Sequence, residues 1–195
     1  MRDNELITTL RRNPRVGDMA LRPEYLEPRW YAAYTSANHE KRVALQLGQR
    51  SVEHFLPVYE SVRRWKDRHM TLSLPLFPGY LFVRLALRDR LQVLQVPGVA
   101  RLVGFHGAAT PLPDDEIESL RRALADGLRP EPHPYLNTGH RVRITTGPLA
   151  GHEGILKRRK GGLRIVLSIE LIERSISVEI DASSVIPARE TTFET

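Results

Sequence analysis

The chain contains no cysteine among its 195 residues. This absence excludes disulfides and thiolate-ligated metal sites, and it fits a reducing compartment. The sequence also lacks any apolar run near the roughly 18 residues that a membrane span needs, and it shows no secretory signal pattern at its start. We therefore expect a cytoplasmic protein with no membrane partner.

Residue patterns that support catalysis or cofactor binding are missing as well. The seven histidines are scattered, and no pair has metal-ligand spacing. The acidic run from Asp114 to Glu118 is typical of a helix start, where carboxylates suit the helix dipole. The loop at Gly147-Pro148 lacks the Lys-Ser/Thr ending of a nucleotide-binding loop. The sequence predicts a binding protein that is not an enzyme and uses no cofactor.

The charge balance favours an anionic partner. The formal net charge is +6, with 15 basic and 10 acidic side chains in residues 29–130 and 8 and 5 in residues 139–188. The basic excess thus lies in the two parts that also carry the apolar residues of a folded protein, and nucleic acid is the first partner to expect. Nothing in the pattern requires oligomerisation, so we expect a monomer.

The first part of the chain reads as an α+β domain, an antiparallel sheet with flanking helices. Residues 1–28 are arginine-rich and poor in apolar side chains, and we interpret them as a flexible extension. Residues 29–125 alternate strands and helices. The predicted elements are a strand at 30–34, a helix to Gly48 capped by Ser36 or Asn38, a strand at 55–62, a hairpin return into residues 74–85, a short helix at 88–96, a strand at 99–105 and a helix at 114–125.

A proline-rich turn followed by a strand is the most informative segment, residues 74–85. Pro75 and Pro78 cannot donate backbone hydrogen bonds, which places them in a turn rather than inside a sheet. After Gly79, alternation sends Leu81 and Val83 to one face of a strand, and Tyr80 and Phe82 to the other. Both faces are apolar, so one can join the core while the other needs a helix or a partner.

The second part has a different pattern. Residues 126–138 contain three prolines in five positions and predict a stiff, extended linker. Residues 139–188 consist of short β-branched runs separated by glycine-rich turns, which predict a small SH3-like β-barrel. Residues 189–195 form a tail. The β-branched content favours a barrel over a helical hairpin for this domain.

Taken in order, these motifs resemble the NusG family of transcription elongation factors. The amino-terminal NusG domain is matched by Trp30-Tyr31, the Lys41-Arg42 helix, Pro57, Phe77-Pro-Gly-Tyr80, Pro97-Gly98-Val99, Val103-Gly104-Phe105 and the helix start Pro113–Ile117. The following KOW domain is matched by Gly139–Ile144, Gly147–Gly151 and Gly154. The resemblance covers residues 29 to about 188.

The resemblance implies that the first domain docks an open apolar concavity onto the clamp helices of the RNA polymerase β′ subunit. Such docking is a helix-in-groove mode that limits pausing and favours processive transcription. Ordinary core aromatics are the alternative interpretation of the same residues. The docking residues that the resemblance implies are Tyr34, Phe77, Tyr80, Phe82 and Val103.

The resemblance also implies that the amino end of the first helix faces the non-template DNA strand, where a basic hairpin tip could add contacts. A solvated charged surface is the alternative. The nucleic-acid-binding residues expected are Asn38, His39, Lys41, Arg42, Arg64 and Arg84. For the KOW domain we expect recruitment of a ribosomal protein or Rho through Lys157, Arg158, Arg159, Lys160, Leu171 and Ile172; these residues could instead belong to a solvated turn and to the core.

Within the family, the chain looks closer to the specialised paralogues related to RfaH, which serve polysaccharide operons, than to the housekeeping member. The segment 171–180 departs from the Phe-Gly-Arg-x-Thr pattern of the housekeeping protein, although Arg174 matches its arginine. This departure puts Rho binding in doubt. The alternatives kept open are a housekeeping NusG-type factor and a ribosome-associated KOW protein that binds RNA; an enzyme acting on nucleic acid is the least supported.

Overall fold

The computed structural model describes residues 23–65, 68–136, 139–159 and 162–188. Most of the predicted extension and all of the predicted tail lie outside this description. The helices are α1 Pro23–Leu26, α2 Glu40–Gln49, α3 Leu91–Leu94 and α4 Asp114–Ala125. The strands are β1 Arg29–Thr35, β2 Glu53–Phe55, β3 Val58–Trp65, β4 Arg68–Pro75, β5 Tyr80–Leu85, β6 Val99–Leu102, β7 Gly104–Phe105, β8 Ala108–Ala109, β9 Glu131–His133, β10 Arg141–Ile144, β11 Glu153–Arg159, β12 Gly162–Ile169, β13 Arg174–Ile180 and β14 Val185–Pro187.

The first domain is built on an antiparallel sheet of strand order β2-β5-β1-β6. Its two central strands, β1 and β5, are apolar on both sides, so the sheet must be covered on both faces. Leu81 and Val83 enter one apolar cluster with Tyr31, whereas Phe82 enters another with Trp30. The predicted alternation of β5 is therefore confirmed.

Helix α2 covers the face that carries Tyr31 and Leu81. Its fully buried side chains are Val43 and Leu47, one turn apart. The Glu40 carboxylate accepts a 2.7 Å hydrogen bond from the Gly79 backbone N–H, which ties the start of the helix to the turn before β5. The predicted side-chain cap is wrong: His39 is the N-cap residue and makes no capping bond with its side chain.

Two predicted strands are divided differently in the structure. The strand expected at 55–62 is interrupted at Leu56-Pro57, so that β2 joins the main sheet and β3 pairs with β4 in a separate two-stranded hairpin. Pro57 lacks an N–H for a sheet ladder, and its carbonyl accepts a bond from Leu76 N. The segment 74–85 is divided as well. Its first residues belong to the end of β4 in the hairpin, and Tyr80–Leu85 form β5 in the main sheet.

The second domain is a six-stranded antiparallel sheet in the order β14-β10-β11-β12-β13-β9. Ile165 and Val178 are among its buried side chains, and the β-rich architecture fits the predicted KOW domain. Strand β9 comes from the predicted linker and pairs with β13, with Glu131 opposite Ser177. Glu131 also accepts a 2.9 Å bond from Arg164. The extended linker is thus partly integrated into the KOW sheet.

Within the described ranges, no helix is both long and apolar enough to cross a membrane.

Candidate functional site

The face of the main sheet opposite α2 gathers the predicted docking residues. We call it the aromatic face and define it by Tyr34, Phe77, Tyr80 and Phe82 around Trp30. Tyr34 and Tyr80 are register partners whose ring centroids lie 5.3 Å apart. Phe77 meets Phe82 edge-on at 5.7 Å. Alternation along β1 and β5, together with the turn at Pro78-Gly79, brings these rings to one surface.

Accessibility divides this face into a covered centre and an exposed margin. Phe77 and Phe82 are 1% and 0% exposed, and Val103 is also buried. Tyr34 is 38% exposed, and Tyr80 is half-buried. The expected open concavity is therefore absent from this arrangement of the described residues, because the centre of the aromatic face is covered.

Part of the cover comes from the KOW domain. One continuous apolar cluster joins residues of the first domain with residues of β10, β12 and β13. A cavity of about 240 Å³ between the two domains is lined by Phe77 and Leu120 on one side and by Leu149, Ile169 and Ile176 on the other. The aromatic face thus contacts a tethered domain as well as its own helix α4.

A cation–π contact marks the edge of this interface. The guanidinium carbon of Arg174, at the start of β13, lies 5.4 Å from the centroid of the Tyr80 ring. A parallel contact exists within the first domain, where Arg101 lies 5.5 Å from the Tyr34 ring. Each of the two neighbouring tyrosine rings therefore contacts an arginine. Tyr34 contacts Arg101 of the first domain, and Tyr80 contacts Arg174 of the KOW domain.

Acidic groups also meet at the interface. Burial first, and then the nearby charges of Asp115 and Glu170, together raise the pKa of Glu116, in the first turn of α4, to about 7. Glu170 belongs to the KOW domain, so the two domains bring like charges together. His152 and Glu153 line the same cavity.

The predicted nucleic-acid residues form a surface beside the exposed margin. His39 is exposed and lies against the turn at Gly98, and Arg42 is exposed on α2. Asn38 has a left-handed backbone with φ of 60°. Lys41 donates to the Ser73 carbonyl of the β3–β4 hairpin. These residues surround the end of β1 that carries Tyr34.

Arg84 lies elsewhere and is engaged by carboxylates. Its guanidinium is 3.5 Å from Glu53 and 3.8 Å from Asp114. A nucleic acid would have to compete with these two ion pairs for Arg84. The Arg64 side chain lies outside the described part of the structure.

The predicted partner residues of the KOW domain are placed unevenly. Lys157 is exposed, and its ammonium lies 3.3 Å from His133 Nε2. Ile172 is buried, and Leu171 is half-buried against the apolar cluster. Both lie in a short 3-10 turn between β12 and β13 rather than on a strand edge. The side chains of Arg158 and Arg159 and all of Lys160 lie outside the description.

Sequence reasoning missed Arg101 as a residue of the exposed margin and Glu116 as a residue of the domain interface. Arg101 lies in β6 between the motifs Pro97-Gly98-Val99 and Val103-Gly104-Phe105 and belongs to neither. Glu116 reads as part of an ordinary acidic helix start. The signal that could have suggested Glu116 is its position between Pro113 and the apolar Ile117, on a helix that must cover an aromatic sheet. Among the described residues, no group of three or more His, Asp or Glu side chains is arranged to hold a metal ion.

Comparison with known proteins agrees with this architecture. A family model described as "NusG: Transcription termination factor nusG" matches residues 28–121. The Transcription termination/antitermination protein NusG of Escherichia coli K12 is 28% identical over 174 residues, covering 80% of this chain and 94% of the relative. Its counterpart in Thermus thermophilus is 28% identical over 182 residues, covering 82% and 98%.

The chain thus resembles the NusG family over about four fifths of its length. The two relatives are named as transcription termination/antitermination proteins. A solved structure described as "Domain interaction in Thermotoga maritima NusG" matches with a TM-score of 0.53 at 22% identity, covering 85% of this chain and 99% of that chain. This likeness confirms the predicted fold class.

Proposed function

We propose that the chain is a cytoplasmic elongation and antitermination factor that binds the clamp helices of the RNA polymerase β′ subunit through its aromatic face. The observation that carries the proposal is the convergence of Tyr34, Phe77 and Tyr80 on one sheet face of a NusG-type domain. Aromatic rings in an apolar groove suit an amphipathic helix pair. Docking across the polymerase cleft would suppress pausing and favour processive transcription.

In this proposal the KOW domain leaves the aromatic face before polymerase binds. Leu149, Ile169 and Ile176 occupy the space beside Phe77 that a clamp helix would fill. One surface cannot bury two partners at once, so closure and docking compete. The affinity of the full chain for polymerase is therefore lowered by the fraction of closed molecules.

The exposed margin is proposed to contact the non-template DNA strand. His39 and Tyr34 offer ring surfaces for base stacking, while Arg42 and Arg101 offer positive charge. These four side chains lie around the same end of the main sheet, next to the docking surface. A strand displaced in the transcription bubble would then meet stacking and phosphate contacts together.

For the KOW domain we propose recruitment of a second factor, a ribosomal protein or Rho, once the domain is released. Lys157 is exposed on β11 next to the basic turn. The loop 170–172 and Arg174 face the first domain when closed and become accessible on opening. Recruitment would then follow polymerase docking rather than precede it.

We further propose that the chain is an operon-specialised paralogue. The support is the residue pattern of β13, in which Ser175 and Ile176 follow Arg174 where the housekeeping pattern has a threonine two residues after its arginine. Genomic position tests this proposal: a gene that opens a long polysaccharide cluster supports it, and a gene embedded among housekeeping translation genes contradicts it.

The docking proposal is tested by titrating a peptide copy of the clamp helices into residues 23–130, where the KOW domain does not compete. Tyr34→Ala and Tyr80→Ala should each weaken binding by about tenfold, the effect of a buried aromatic anchor worth about 1.4 kcal/mol. Phe105→Ala is the matched control, because Phe105 is an exposed aromatic outside the aromatic face. Equal affinities for all four proteins would contradict the proposal.

A further inference from the structure

The contact between the two domains contains a carboxyl group that cannot ionise without cost. Glu116 lies in the first turn of α4, where burial and the charges of Asp115 and Glu170 oppose its negative form. Asp115 is on the same helix, whereas Glu170 follows β12 in the KOW domain. Separation of the domains would remove Glu170 and admit water to Glu116.

The other charged groups around Glu116 do not neutralise it. The cavity at the interface is lined by Asp115, His152 and Glu153 besides Glu116. Glu153 is held by Arg143 of the neighbouring strand at 2.6 Å, which compensates its charge within the KOW domain. Among the described residues lining this cavity, His152 is therefore the only one whose side chain can carry a positive charge.

We propose that closure of the KOW domain over the aromatic face is sensitive to protons, with uptake of a proton by Glu116 favouring the closed form and its release favouring the open form. The proposal rests on the proposed function, since it names a regulation of the same docking face. It makes the fraction of docking-competent molecules depend on pH in the neutral range.

The sign follows from linkage. The closed form holds the Glu116 pKa at about 7, against an ordinary value of 4.5. Because this pKa is higher in the closed form, that form binds more protons, and its advantage is fully present below about pH 4.5 and lost as the pH rises through 7. Asp115 stays beside Glu116 when the domains separate, so part of the rise in pKa persists in the open form. The ratio of closed to open molecules therefore falls by at most about tenfold between pH 6 and pH 8.

The absence of native cysteine allows a direct measurement on the full chain. Leu45→Cys and Ile186→Cys place one spin label on each domain at positions that are 65% and 51% exposed and lie outside the interface cavity. Electron–electron distance measurements from pH 5.5 to pH 8.5 then report the two populations. No polymerase or DNA is present, so the result is independent of whether the aromatic face docks on clamp helices.

In the labelled protein the ratio of short to long separations should fall as the pH rises, by up to about tenfold between pH 6 and pH 8. Glu116→Gln, which keeps the shape and removes the charge, should stay closed and lose this dependence. Glu118→Gln is the matched control on the same helix, because Glu118 pairs with Arg121 of the first domain. It should retain the wild-type profile, and so should His152→Gln for the most part.

Three outcomes would overturn the proposal. The first is a wild-type ratio that does not change with pH, and the second is a Glu116→Gln variant with an unchanged profile. The third is a His152→Gln variant that loses the dependence while Glu116→Gln keeps it, which would assign the switch to the histidine. Failure of the clamp-helix titration described above would leave this measurement valid, and the reverse also holds.

Discussion

The two faces of the main sheet are covered in different ways. One face packs Tyr31 and Leu81 against helix α2, which follows β1 directly in the chain. The aromatic face packs against α4 and also against the KOW domain, whose first core strand begins at Arg141. One face of the sheet is thus covered by a helix that is close in sequence, and the other is covered in part by a separate domain.

The chemistry of the two covers shows why they are not equivalent. The cluster beneath α2 consists of aliphatic side chains with Tyr31, and its helix is fixed by the bond from Gly79 to Glu40. The cover over the aromatic face includes Glu116 and Glu170, which repel one another, and an arginine on Tyr80. Glu170 is exposed, but Glu116 is partly buried, and a buried carboxylate without a cationic partner is costly to ionise. An interface that contains such a group separates more easily than an apolar core. The first cover is structural, and the second suits a contact that opens.

The largest expected effect comes from weakening the packing of helix α2 on the main sheet, which we call the permanent cover. Leu47→Ala removes a fully buried side chain between α2 and the sheet and should lower the free energy of unfolding by about 2–5 kcal/mol. Urea denaturation of the full chain measures it. Leu45→Ala on the same helix is the control, because Leu45 is exposed, and its effect should be within about 0.5 kcal/mol. Similar losses for the two variants would show that α2 is not the cover described here.

A smaller effect is expected from destabilising the KOW domain, which we call the removable cover of the aromatic face. A Cβ at Gly154 would lie 2.6 Å from the Val166 carbonyl oxygen and 2.7 Å from Ile165, so Gly154→Ala should destabilise the KOW domain by about 1–3 kcal/mol. Domain-resolved amide signals in urea should show the KOW domain unfolding earlier while the first domain is unchanged.

Gly162→Ala in the same hairpin is the control, because a Cβ there meets only the Glu179 carboxylate at an ordinary 3.5 Å. The full-length Gly154→Ala protein should also bind clamp-helix peptide more tightly than the control, since its aromatic face is uncovered more often. Simultaneous unfolding of both domains would argue that the two covers are equally permanent.

The covers also show what a sequence can predict. The apolar alternation of Tyr80, Leu81 and Phe82 was sufficient to place two apolar faces on β5, because side-chain direction in a strand is a local property. The helix at 114–125 was predicted with the correct bounds from its acidic start and apolar spacing. Both features depend on neighbours in the chain.

Features that depend on distant residues were not predicted. The division of the strand at Pro57 reflects pairing of β2 with β5, and the pairing of β9 with β13 depends on a register that no local pattern specifies. The contact of Arg174 with Tyr80 joins residues 94 positions apart. For the candidate site, the resemblance identified the aromatic residues, but only the tertiary structure shows which domain lies over them.

A modest effect is expected from removing that contact. Arg174→Ala deletes a cation–π interaction of about 0.5–1 kcal/mol at an exposed edge, which lowers the ratio of closed to open molecules by about two- to fivefold. The spin-label pair on Leu45 and Ile186 measures the ratio. Arg101→Ala removes the equivalent contact on Tyr34 within the first domain and should leave the ratio unchanged. An equal shift in both variants would mean that the arginine on Tyr80 does not hold the domains together.

The same pair of arginines distinguishes the covered centre from the exposed margin. If the margin around Tyr34 and His39 binds single-stranded DNA, Arg101→Ala should reduce the slope of log affinity against log salt by roughly 0.7, the value for one phosphate contact on a single strand. Fluorescence anisotropy with a labelled oligonucleotide at several salt concentrations measures the slope. Arg174→Ala should leave it unaltered, because Arg174 lies on the other domain. An unchanged slope in Arg101→Ala would restrict the role of the margin to packing. If instead Arg101→Ala changes only the salt slope and Arg174→Ala changes only the ratio of closed to open molecules, closure and DNA contact use different parts of one surface.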